Sequence, residues 1–172
     1  FVRGVVDCDD LPLNVSREAL QHNPVMTKVR GTLVRRVLGM LEAMAKRDED
    51  EYLKFWRAYG LVLKEGVATD PENRDRIAAL LRFHSSLEDD RQAFVSLQTC
   101  VDRMQAEQKK LYYLTGDSVD AMAQSPLLET FRKRGLEVLL LDEPVDEWVV
   151  GALQKYADKE FQAIDAADLD LG

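Results

Sequence analysis

Between residues 24 and 46 the apolar side chains Val29, Leu33, Val37, Met40 and Met44 recur at steps of three and four, and Val34, Leu38 and Leu41 widen the stripe. This is the period of an amphipathic helix, and Pro24 suits its first turn. The acidic run from Asp48 to Glu51 breaks the pattern. A second helix then carries Leu53, Phe55, Trp56, Tyr59 and Leu63, with Gly66 expected to stop it and Trp56 reading as core. Asp70 as cap and Pro71 at the first helical position open a third, whose apolar side is Ile77, Leu80 and Leu81. Residues 24–83 thus read as three helices, and the polar stretch 85–93 as a loop and the main internal boundary. Beyond it, short apolar runs alternate with helical stretches over 111–114, 118–124, 126–134, 137–141, 145–156 and 161–164. Ser125 and Pro126 open one of these helices and Gly135 closes it. Strand and helix in alternation predict a small parallel sheet with right-handed crossovers. At the other end, residues 1–6 read as a short strand and 7–13 as a turn. The chain contains no internal repeat.

Composition narrows the function classes. At 172 residues and 46% hydrophobic, the chain supports a buried core in one ordinary domain or two small ones. The net charge is −8, unevenly placed: residues 14–36 hold five bases against one acid, whereas residues 142–172 hold nine acids against Lys155 and Lys159. An acidic chain with one local basic patch lacks the many cationic contacts of a general nucleic-acid binder. Cys8 and Cys100 are too few for a disulfide framework and have no neighbouring ligands for zinc, so no metal is expected. No apolar run approaches the roughly 18 residues of a membrane span, and the start FVRGVV is too short for a secretory signal, so a reducing cytoplasm fits best. That start reads as a cut from a longer chain.

The stretch DLPLNVSREALQ, residues 10–21, holds the most pointed chemistry. Asn14 or Ser16 can cap a short helix, and Arg17 and Gln21 then share one of its faces. A guanidinium is always charged and offers a planar fork of donors to phosphate oxygens, while Gln21 can only orient or hydrogen-bond. A surface turn in which Arg17 pairs with a carboxylate accounts for the same residues. His22 and His84 have no adjacent nucleophile, and the nine glycines form neither a Walker loop nor a dinucleotide fingerprint. Asp142, Glu143, Asp146 and Glu147 read as a solvated helix start favoured by the helix dipole. After Pro144, the residues Val145, Trp148, Val149, Ala152 and Tyr156 share a face, which ordinary core packing explains.

The segment FVRGVVDCDDLPLNVSREALQ resembles, nearly residue for residue, the catalytic-loop region in the middle domain of the ninety-kilodalton heat-shock chaperone family. LVRRVLGMLEAMAK, FWRAYGLVLKEG, LLRF, RMQAEQKKLYYLTG, RGLEVLLL and PVDEWVV follow in the family's order, closest to its bacterial branch, so the resemblance covers about residues 1–165. It implies an α/β fold: residues 1–23 as the C-terminal edge of a larger α/β/α subdomain with the catalytic loop, and 24–95 as a helical connector. Residues 96–165 follow as a small α/β/α subdomain with a short parallel sheet, and 166–172 as a linker toward a C-terminal domain.

It further implies that ATP with Mg2+ is held mainly by a separate N-terminal domain of the same chain, and that Arg17 reaches the terminal phosphate with Gln21 in support and Asn14 shaping the loop. The fragment alone is then expected to be inactive. Trp148, Val149 and Val145 become a contact for non-native client proteins, and the whole protein a homodimer through its C-terminal domain. His22, Asn23 and Pro24 depart from the polar residues usual after Gln21, and Cys8 stands where serine is common; these bear on the loop's shape. Two other readings stand beside this one: a helical adaptor whose basic face, Lys28 to Arg36, docks an acidic protein, and a small-molecule enzyme using the carboxyl ends of the 111–164 sheet. No convergent catalytic set lies at those ends.

Overall fold

The computed structural model describes residues 2–5 and 24–166. Residues 2–5 have no regular secondary structure, where a strand over 1–6 was expected. The chain divides into two compact units, residues 1–52 and 53–172.

In the first unit, α1 spans Pro24–Arg47 as its periodicity predicts. Leu38 and Leu41 are buried, while Leu33 and Met40 are exposed, so the deeply covered part of the stripe lies in the second half of the helix. Lys46 and Arg47 occupy the last turn, where cations complement the helix dipole. Asp48 does more than break the helix. Its Oδ1 accepts the Glu51 amide at 3.0 Å and caps α2, Glu49–Thr69.

Gly66 does not end α2, which continues to Thr69. A Cβ at Gly66 would stand 3.2 Å from Ile77 Cδ1, so the glycine marks a close approach to the next helix rather than a stop. Asp70 accepts a hydrogen bond from Asn73 but does not cap a helix; Pro71–Asn73 is a 3₁₀ turn leading into α3, Arg74–Leu80. Ile77, Leu80 and Leu81 are buried as expected. The third helix ends there, and β1, Arg82–Ser85, follows where the apolar run LLRF had read as helix. β1 pairs antiparallel with β2, Val95–Ser96, so the 85–93 stretch links two paired strands inside the second unit.

The remaining elements follow the expected alternation. They are α4 (Leu97–Asp102), β3 (Lys110–Thr115), α5 (Val119–Ala123), α6 (Leu127–Arg134), β4 (Val138–Leu141), α7 (Val145–Leu153), β5 (Lys155–Tyr156) and β6 (Lys159–Ala163). Ser118 caps α5, and Gly135, at φ 65°, closes α6 in the left-handed conformation that a glycine adopts without strain. Among the described residues six strands form one mixed sheet in the order β2-β1-β4-β3-β6-β5. Its centre, β4-β3-β6, is parallel as predicted, and its edges are antiparallel. The edge hairpin β5–β6 replaces the last turn of the helix expected over 145–156, and turns through Ala157 and Asp158.

From β3 the chain steps to β4 on one side, and from β4 it passes back over β3 to β6. Right-handed crossovers then put α5 and α6 on one face of the sheet and α7 on the other. Alternation along the strands agrees: Tyr112, Leu114, Val138 and Leu140 share a core cluster with Met122, Leu128 and Phe131 of α5 and α6. Leu139 and Leu141, equally buried, point the other way.

Candidate functional site

The phosphate-reaching residues inferred from sequence, Asn14, Arg17 and Gln21, lie outside the described residues. The second candidate region, α7, is described in full. Strand β4 delivers the chain to Asp142, Glu143 and Pro144, and α7 begins at Val145. Its inward residues are Asp146, Val149, Val150 and Leu153, a spacing of three, four and seven that defines one helical face.

This corrects the sequence reading in two ways. Asp146 was expected in a solvated helix start and is 1% exposed. Val149 was expected beside Trp148 on one surface and belongs to the core, while Val145 is half-buried and Trp148 is 75% exposed. Tyr156, expected on the same helical face, lies in β5.

The cause sits on α2. Lys64 falls within the buried stripe of that helix, with Trp56, Leu63 and Val67, and is itself buried. Its ammonium hydrogen-bonds Glu143 Oε2 at 2.6 Å and lies 2.7 Å from Asp146 Oδ1. Asp146 Oδ2 accepts the Glu143 amide at 3.2 Å. The ammonium also faces the rings of Phe83 at 5.0 Å and Trp56 at 5.8 Å, so aromatic faces complete its shell. Burial pushes the Asp146 carboxyl above the usual carboxylate range, and Lys64 pulls it partway back. Turning Asp146 inward toward Lys64 leaves Trp148 in solvent. A lysine inside an apolar stripe was the sequence signal for this arrangement, since a buried cation requires a partner.

Trp148 is flanked by two recesses. One, of about 360 Å³, is lined by Glu65, Ala68 and Thr69 of α2 and by Pro144 and Val145. The other, of about 680 Å³, lies at the carboxyl ends of β3 and β4, between Thr115, Gly116 and Asp117 on one side and Asp142, Glu143 and Glu147 on the other. The chain leaves these two adjacent strands toward opposite faces of the sheet, which is where open α/β sheets leave a crevice. A third recess, of about 390 Å³, includes Trp56, Arg57, Phe94 and His84. There Nδ1 of His84 donates to the Ala93 carbonyl at 2.9 Å and the ring packs on Phe94, an arrangement of a satisfied structural histidine.

Among the described residues no group of three or more histidine, cysteine or acidic side chains is arranged to hold a metal, and no helix is long and apolar enough to cross a membrane. The described glycines are at least six residues apart in sequence, and four of them lie inside the helices α1 and α2, so they form no glycine-rich phosphate cradle. Cys100 is buried on α4; burial and the neighbouring Glu137 carboxylate push its thiol far up, which makes it inert.

Comparison with known proteins gives a consistent answer. The profile of the Hsp90 protein family matches residues 1–172. The chaperone protein HtpG of Halorhodospira halophila is 52% identical over 171 residues, 99% of this chain and 27% of that protein. HtpG of Coxiella burnetii is 51% identical over 172 residues, with 100% and 27% covered. The chain thus spans about a quarter of the length of these relatives. Among solved structures, the middle domain of a Plasmodium falciparum heat shock protein superposes with a TM-score of 0.78 at 29% identity, covering 85% of this chain and 61% of that one.

Proposed function

This chain belongs to the Hsp90 protein family, and from that premise we propose that it is the middle segment of a bacterial ATP-dependent chaperone, which joins nucleotide hydrolysis in a preceding domain to the handling of non-native proteins. The observation that carries this reading is similarity without a gap in coverage: 52% identity to a chaperone protein across 99% of the chain. Likeness to a middle domain in a solved structure supports the same position within the longer protein.

In this reading Arg17 contacts the terminal phosphate of ATP with Gln21 beside it, and Asn14 shapes their loop. ATP and Mg2+ are bound mainly by the N-terminal domain, and the segment supplies charge where it develops during phosphoryl transfer. The protein works in the cytoplasm as a homodimer joined through its C-terminal domain.

Trp148 is the client contact on the described surface, with Val145 beside it and Val149 holding the helix from below. What supports this is an indole 75% exposed on a helix otherwise well anchored. So large an exposed apolar ring suits segments that offer broad contact instead of a fixed shape.

The test is the affinity of the full-length protein for a fluorescently labelled unfolded protein. Trp148→Ala is expected to weaken binding about ten-fold, as loss of an aromatic anchor does. Equal affinity removes Trp148 from the client surface.

A further inference from the structure

Trp148 separates two recesses of opposite character. Ala68, Pro144 and Val145 give the smaller one an apolar lining, whereas Asp117, Asp142 and Glu147 border the larger one. Among the described residues none of these three carboxylates has an ion-pair partner, and Lys64, which reaches Glu143 of the same lining, is committed to Glu143 and Asp146. Like charges around one cleft repel each other, and a cation entering the cleft relieves that repulsion. The exposed indole adds a π-face on which the same cation can rest.

The geometry points to an occupant that fills both recesses: an extended stretch of non-native polypeptide with a bulky apolar side chain in the groove and a neighbouring lysine or arginine in the cleft. This inference rests on the client reading of Trp148 and adds a sequence preference to it. An apolar groove alone accepts any greasy segment. The acidic cleft favours segments with adjacent basic residues and rejects acidic ones, so that selection comes from repulsion as much as attraction.

The experiment uses the full-length protein and two labelled, unfolded peptides that share an apolar core and differ only in having lysines or glutamines beside it. The wild type is expected to bind the lysine peptide roughly ten-fold tighter at low salt, with the preference shrinking as salt is added. The combined substitution Asp117→Asn, Asp142→Asn and Glu147→Gln should abolish the preference and leave the affinity for the glutamine peptide unchanged. Trp148→Ala should weaken both peptides. A wild type without preference, a preference indifferent to salt, or one that survives the triple substitution overturns the inference while leaving Trp148 as a client contact. Undiminished binding of both peptides by Trp148→Ala overturns the client reading and this inference together.

Discussion

Lys64 Nζ and Asp146 Oδ1 lie 2.7 Å apart with both side chains buried, and this contact decides which face of α7 meets the core. Removing Lys64 leaves Asp146 buried without its cationic partner, whereas Lys64 would still have Glu143. Lys64→Met is therefore expected to cost about 3–5 kcal/mol at neutral pH. The double variant Lys64→Met, Asp146→Leu should recover much of that loss, because replacing a buried pair by apolar groups is often close to neutral. Denaturant unfolding of these two variants and of Asp146→Leu alone measures both; additive losses would show that the pair does not act as a unit.

The same pair has a pH signature. The Asp146 carboxyl is raised by burial, so the folded chain takes up its proton at a pH where the unfolded chain is still ionised. Stability linked to this group is then fully present below the unfolded value and is lost as pH rises through the folded one. Relative to Asp146→Asn, the wild type should gain stability as pH falls from neutral toward the ordinary value of 3.8, and the difference should level off below it. Thermal unfolding across this range checks the sign; a wild type that loses ground on acidification would contradict it.

The β5–β6 hairpin turns through two residues at positive φ, Ala157 at 47° and Asp158 at 61°. Alanine bears a steric cost there that glycine and asparagine largely avoid. Ala157→Gly is expected to raise stability by up to about 1 kcal/mol. Gly135→Ala, at φ 65°, should lower it by about 1 kcal/mol, because the same strain is then introduced at the α6 cap. Paired unfolding curves test the two opposite signs.

Cys100 offers a probe of the core. Its thiol is buried and pushed far above the ordinary range, so alkylation at pH 8 should spare it in the folded protein and modify it on unfolding. Mass spectrometry of the peptide containing Cys100, with and without denaturant, reads this directly. Rapid native labelling would contradict the packing of α4.

Much of the second unit was legible because its signals are local. Leu111 to Leu114 and Val138 to Leu141 are uninterrupted apolar runs of strand length, and Pro126 and Gly135 punctuate α6 as such residues do. What was missed depends on partners remote in sequence. LLRF continues the apolar run of α3, and only pairing with β2 and β4 makes Arg82–Ser85 a strand. Gly66 reads as a stop until Ile77 is found against it. The hairpin carries Ala157 and Asp158 in place of the usual asparagine and glycine, so its turn is hidden. The rotation of α7 follows from Lys64, more than eighty positions upstream of Asp146, and helical period alone grouped the exposed Trp148 with the buried Val149. Trp148 was visible as a candidate, but period alone could not separate core from surface.

The central claim is that this segment reaches out to a nucleotide held by another domain, and Arg17 is its most direct test. In the full-length protein, Arg17→Ala is expected to lower steady-state ATP hydrolysis on the order of 10³-fold, the scale at which an arginine stabilises phosphoryl transfer, with ATP affinity nearly unchanged. Hydrolysis at the wild-type rate would contradict the account.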